Sequence, residues 1–346
     1  MGKKPFNILW LSFLISSIGD WLYKLVLPVI ILEKTGSAYH AATAFGISFI
    51  PWWFFSLIGG VIADRLEKKK ILVTGNILAG IFTGGLLLIL SADHINFMLL
   101  YVAIFLLASV DPLIHPSFQS IIPTLVPSNK FEGSNAKIQT IENFLSVIGP
   151  LMGSAIITLI GGYNGLIIDI ISFWFTSLLL LLLPYQQVIP NNNTNILNDL
   201  KIGFKYTVTE KVILAGSIMF FFTNFALNMF EANYIYYMTK QLGYSLVNAS
   251  ITMTIAGIGA LLGGIFSTKF IAHRKLGEIL TTSTMCAGAA TLLLLLNQNF
   301  IYIGFILGIV NIFGTLNVVT YFSLRQRTVP KNLLGRVISV TRTVSY

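Results

Sequence analysis

Charge is what this sequence has least of. Only 10% of its 346 residues are Asp, Glu, Lys or Arg, where soluble domains carry about 25%. The residues of metal and nucleophile chemistry are scarce as well. The one cysteine, Cys286, has no partner for an intramolecular disulfide, and inside an apolar segment it reads as a buried structural thiol. The four histidines, at 40, 94, 115 and 273, are too far apart to suggest a metal site. No Gly-x-x-x-x-Gly-Lys-Ser/Thr run and no Gly-x-Ser-x-Gly elbow occurs, so ATPase and serine-hydrolase chemistry lack a sequence basis. No enzymatic activity, cofactor or metal is expected.

What fills the chain is hydrocarbon. Hydrophobic residues make up 55% of it, with a mean hydropathy of +0.80. Apolar runs near the length needed to cross roughly 30 Å of bilayer recur at 6–32, 41–63, 71–91, 96–116, 141–160, 163–183, 212–238, 246–272, 277–296 and 299–322. They are continuously apolar, as at Gly85–Leu90, and lack the period-two alternation of barrel strands. The first run is too long for a signal peptide, and Ile31-Leu32-Glu33-Lys34 is not a small-residue cleavage site. The fold class is therefore an all-α polytopic membrane protein.

The net charge of +9 marks topology and does not call for nucleic acid. With the N-terminus placed in the cytoplasm, all of the 22 basic residues except Lys24, Lys34 and Lys240 fall on cytoplasmic segments. The central linker is then cytoplasmic, which also removes Asn192-Asn193-Thr194 as a glycosylation acceptor.

The chain also repeats itself. Gly60 and Gly264 are 204 residues apart, each near the end of an apolar run that leads into a basic loop. Val126-Pro127-Ser128-Asn129-Lys130 and Val329-Pro330-Lys331-Asn332-Leu333 are offset by 203. A tandem duplication follows. Residues 1–184 form a six-helix half, 185–211 a linker and 212–346 a second half with four spans. In the linker, Ile196, Leu200 and Phe204 form the stripe of an amphipathic helix at the cytoplasmic surface. The offset places the partners of spans five and six near 344–363 and 366–386, so about ten of an expected twelve helices are present.

In Gly59-Gly60-Val61-Ile62-Ala63-Asp64-Arg65-Leu66-Glu67-Lys68-Lys69-Lys70, six of the last seven residues are charged. The stretch resembles the first cytoplasmic loop of the major facilitator superfamily, matched by Gly60, Asp64, Arg65, Lys68 and Lys69, with Glu67 where that family has glycine. Thr35-Gly36-Ser37, His115, Pro123, Val126-Pro127, Asp169 and Leu334-Gly335-Arg336-Val337 are similar to its macrolide and drug efflux branch. The resemblance implies a pseudo-twofold helical bundle. It also implies a gate in which Asp64, misplaced at the C-terminal end of its own helix, meets the N-terminus of the eleventh helix. The offset puts that helix almost wholly beyond Tyr346, so its partner is not expected here. Setting topology alone would also account for Lys68–Lys70.

Ionisable groups at mid-bilayer cost about 2.5–3.5 kcal/mol each on insertion scales, so each calls for a reason. Asp20 and Lys24 share a helix face in span one. They either pair with each other or line a central cavity, with Asp20 exchanging a proton or meeting a cationic substrate. Asn224, Asn228 and Glu231 form a polar stripe in span seven that faces them by pseudosymmetry; Glu231 could equally be interfacial. Asp111 and His115, four apart in span four, suit a proton relay or a structural hydrogen bond. Gly149, Pro150 and Gly153 match the core of the family's antiporter motif, and generic helix packing explains them equally. Trp52, Trp53, Phe54 and Phe55 read as lipid-facing or packing residues.

The sequence is thus read as a secondary transporter of the cell membrane. It exports small amphipathic compounds by alternating access, driven by an ion gradient with the proton as coupling ion. A non-transporting remnant and an uptake permease of the same fold are the alternatives.

Overall fold

The computed structural model describes residues 3–185, 196–272 and 274–345, so Asn192-Asn193-Thr194 and His273 lie outside the described residues. Twelve α-helices account for most of them: α1 (Lys3–Thr35), α2 (Ala38–Arg65), α3 (Lys68–Ser91), α4 (Phe97–Leu125), α5 (Phe131–Ile160), α6 (Gly162–Leu181), α7 (Ile196–Thr209), α8 (Lys211–Tyr236), α9 (Leu246–Ile271), α10 (Leu276–Leu293), α11 (Phe300–Thr328) and α12 (Leu334–Ser345). Nine helices among the described residues are long and apolar enough to cross a membrane. The fifth predicted span is the apolar part of α5, which is 30 residues long.

Leu, Ile and Phe runs with few breakers favour helices, and the prolines inside them sit where a membrane helix tolerates them. Pro112, Pro116 and Pro123 are all within α4, where neighbouring helices can satisfy the freed carbonyls. Polar residues make the ends. The Asn96 side chain accepts the Leu99 N–H at 3.2 Å to start α4, and Ser245 does the same for α9 through Asn248. Gly36, with φ +63°, ends α1 by returning its N–H to Leu32 O at 2.8 Å. Thr35-Gly36-Ser37 is therefore a helix stop.

The chain forms two compact units. The first comprises residues 1–127, 148–209 and 329–343; the second comprises 128–147, 210–328 and 344–346. In the first, α1 packs on α6, α2 on α4, and α3 on both α4 and α6. Its core includes Val26, Leu86, Leu90, Leu100, Ile104 and Leu166, all fully buried. In the second, α11 packs on α9 and α10. Cys286, expected to be buried, is exposed on α10; an apolar segment predicts a helix that can meet lipid, and not which face turns inward.

The two units repeat one packing device. Neighbouring glycines on α2 serve two partners: a Cβ on Gly59 would strike the α4 backbone at Pro112 and Leu113, and one on Gly60 would strike Ser339 and Gly335 of α12. On α9, Gly263 meets the α11 backbone at Ile312 and Gly264 meets Thr140 of α5. Small residues let helix backbones approach this closely. Gly59→Ala is expected to cost about 1–3 kcal/mol through overpacking. Gly85→Ala, which meets nothing within 4 Å, should be neutral or slightly stabilising. Thermal unfolding of both variants in one detergent checks the contrast.

The long helices also correct the expected position of the eleventh span. Hydropathy starts the fifth span at 141, but α5 begins at Phe131, because Glu132, Ser134, Asn135 and Lys137 form helical turns outside the apolar run. The same offset of 203 carries Phe131 to Leu334, where α12 starts. The N-terminus expected of the eleventh span is therefore present, as the start of α12.

Candidate functional site

Asp64 is 4% exposed and sits one residue from the end of α2. The N–H groups of Gly335 and Arg336, in the first turn of α12, donate to its two carboxylate oxygens at 2.9 and 3.1 Å. These groups have no acceptor within their own helix, and an anion at a helix N-terminus is favoured by the macrodipole. The expectation that Asp64 lacks its partner is thus corrected. Gly335 must be glycine for the approach, since a Cβ there would lie 2.6 Å from Asp64 Oδ1 and 2.7 Å from Gly60 O.

Arg336 extends the contact. Its Nε lies 3.3 Å from Asp64 Oδ2 and its Nη1 lies 2.9 Å from Oδ1 of Asp199 on α7. Asp199 is 1% exposed and also accepts from Arg65 Nε at 2.7 Å. Two acids and two guanidiniums therefore alternate, which offsets the cost of removing each from water. The turn below is two residues long, with Leu66 and Glu67 both extended, so glycine is not needed at 67. Lys69 donates to the carbonyls of Leu181 and Leu183 at 2.9 and 2.8 Å, capping the end of α6. Lys70 pairs with Glu67 at 3.0 Å.

The second unit keeps the geometry with different chemistry. Thr268 occupies the repeat position of Asp64 and lies beside Gly133 of α5. The acid has moved onto the helix itself: Glu132, in the first turn of α5, pairs with Arg327 at 2.6 Å. One turn on, Asn135 donates to Ser323 Oγ and Gln326 Oε1, both at 2.9 Å.

Within the apolar part of the first unit, Asp20 lies in electrostatic reach of Lys24, Asp111 and Asp169. Among the described residues it forms no ion pair with Lys24, whose exposed ammonium stands 5.8 Å from the Trp21 ring. Asp169 is wholly buried. Thr83 donates to its Oδ2 at 3.4 Å, while its Oδ1, set against Gly19, has no hydrogen-bond partner among the described residues. The buried Tyr23 hydroxyl also lacks one.

His115 contacts Gln119 at 3.5 Å and meets the Trp52 ring edge-on at 6.1 Å. The Arg342 guanidinium lies 4.1 Å from the centre of the same ring, a cation–π distance. Trp53 and Phe54 are exposed. Asp111, one turn before His115, is exposed too.

Gly149 and Gly153 receive the side chains of Trp21 and Leu25, one turn apart on α1. In the second unit, Asn224 donates to Ser345 O at 2.8 Å, and Asn228 turns back to Asn224 O at 2.9 Å. The side chains of Pro150 and Glu231 lie outside the described residues. Sequence reasoning passed over Asp199, Glu132 and Arg342. The available signals were an acid in the first turn of a helix, for the first two, and the 203-residue offset, for the third.

Comparison with known proteins adds a family profile, two relatives and a solved structure. The sequence profile described as Major Facilitator Superfamily matches residues 9–346. The multidrug efflux pump Tap of Mycobacterium tuberculosis is 21% identical over 99% of this chain and 84% of its own length. Macrolide efflux protein A of Streptococcus pyogenes is 23% identical over 99% and 86%. Among solved structures, a bacterial homologue of the iron transporter ferroportin, in an outward-facing state, superposes with a TM-score of 0.77. It shares 16% identity over 99% of this chain and 89% of its own.

Proposed function

Because the chain belongs to the Major Facilitator Superfamily, and is therefore a multi-pass membrane transporter, we propose that it exports small amphipathic compounds in exchange for protons. It does so across the cell membrane, with its N-terminus and linker in the cytoplasm. The observation that carries this reading is the set of acids in the first unit: Asp20 and Asp169 lie in electrostatic reach of each other, and among the described residues neither has a salt-bridged cation. Intramembrane carboxylates without such a partner suit a site that takes up and releases a small cation. In the first unit the exposed Lys24 and Asp111, with His115, supply polar contacts for substrate or ion; in the second, the half-buried Asn224 and the exposed Asn228 supply their own. Two named relatives that are efflux pumps support the outward direction.

In this mechanism the Asp64–α12 clasp is made in one state and released in the other, with Gly60 and Arg65 as parts of the gate. The test uses purified protein in proteoliposomes with an imposed pH gradient and two probes, ethidium and radiolabelled erythromycin. Gradient-dependent movement of either probe, opposite in direction to proton flow and collapsed by a protonophore, is the expected result. Movement in the same direction as protons would make it an uptake permease. Binding of a probe without any flux would make it a non-transporting protein.

A further inference from the structure

α7 carries three stripes, each spaced by one helical turn, and the contacts above account for only one of them. Asp199, Gly203 and Thr207 are buried. Asp199 takes two guanidiniums, Gly203 lies under the Arg336 side chain and Thr207 donates back to Gly203 O at 2.9 Å. About 100° further round the helix come Leu200, Phe204 and Val208, the last two 55% and 41% exposed. Beyond them stand Lys201 and Lys205, both exposed. Asp199 therefore fixes the rotation of the helix and turns outward an apolar shoulder next to a row of lysines.

The depth of this helix is set by its neighbours. It packs on α2, where Arg65 closes the membrane-length segment Tyr39–Arg65. At its other end only Glu210 separates Thr209 from Lys211, where the next membrane-length helix starts. Two residue steps reach roughly 8 Å at most. α7 therefore lies at the level where helices enter the bilayer, which is the headgroup layer. A helix at that level with an apolar shoulder beside cationic residues matches an in-plane interfacial helix, and the lysines complement anionic lipid.

We propose that α7 docks on the anionic phospholipid headgroups of its own leaflet. Phe204 and Val208 enter the acyl boundary, Lys201 and Lys205 meet the phosphates, and Asp199 anchors the helix in that register. The proposal requires only that the protein is in a membrane, so it stands or falls separately from the export reading.

The test places single cysteines in the full chain carrying Cys286→Ser, by Asn198→Cys, Phe204→Cys, Lys205→Cys or Val208→Cys. Each is spin-labelled and reconstituted in nanodiscs of phosphatidylcholine alone or mixed equally with phosphatidylglycerol. Collision rates are read with oxygen, which concentrates in lipid, and with a nickel chelate, which stays in water. Labels at 204 and 208 should be oxygen-accessible and nickel-shielded, with the reverse at 198. Phosphatidylglycerol should increase nickel shielding at 205 at least twofold, and Lys201→Gln in that background should reduce the response. Labels at 204 and 208 as nickel-accessible as the label at 198 would overturn the docking. Shielding from both reagents would overturn it as well, by revealing protein cover such as a second copy. Shielding at 204 and 208 with no response to phosphatidylglycerol would overturn the anionic partner.

Discussion

Asp64→Ala should lower transport to a tenth of wild type or less and destabilise the clasped conformation by about 3–5 kcal/mol, the usual cost of removing one member of a buried pair. Alanine leaves two N–H groups at the start of α12 without an acceptor and Arg336, 8% exposed in its side chain, with Asp199 as its remaining acid. A shift of that size changes a two-state ratio by roughly 10²–10⁴, enough to empty the clasped state in an alternating cycle. Asp64→Asn keeps an oxygen for one N–H and should fall between the two. Thermal unfolding and initial transport rates, measured on the same preparations, check both. A wild-type rate with a wild-type melting temperature in Asp64→Ala would remove the clasp from the mechanism.

The second large effect should separate coupling from movement. Asp169→Asn preserves size and can keep the contact with Thr83, yet it carries no exchangeable carboxyl proton. If Asp169 and Asp20 together hold the coupling ion, either asparagine variant should reduce gradient-driven export at least tenfold. Substrate-for-substrate exchange should survive, because it needs no net ion movement. The double variant should be no worse than the stronger single, since groups that act as one unit are not additive. Loss of exchange in both would reassign the pair to substrate binding. Gradient-driven export intact in both would place coupling elsewhere in the chain.

Much of this architecture is legible in the residues because hydrocarbon imposes a simple rule. Each predicted span corresponds to one helix, and Asp64 stands out because charge is rare. The boundaries are less legible, since hydropathy reports only the part of a helix inside lipid. α5 starts ten residues before its apolar run, and the position of α12 was misplaced for the same reason. Asp199 is hidden differently. In a polar linker an acid carries no surprise, and its two arginines lie 134 and 137 positions away in sequence. Asp169 is visible as an acid in an apolar run, but its unbonded oxygen belongs to three-dimensional packing. Arg342 looks like one more residue marking the cytoplasmic side until α12 places it over Trp52.

The clasp also has a history within each molecule. Asp64 and Gly335 are 271 positions apart, so at about 5–20 residues per second the ribosome delivers the second roughly 14–54 s after the first. Throughout that interval α2 is made and inserted, while its acid has no helix end to bind. The nascent first half must therefore keep Asp64 hydrated at the membrane surface or shelter it on the insertion machinery. Its tight seat at Gly60 can close only after Gly335 has left the ribosome. Slow elongation between α6 and α12 would prolong this exposed stage, making biogenesis, and not only the finished fold, sensitive to the spacing between the two halves.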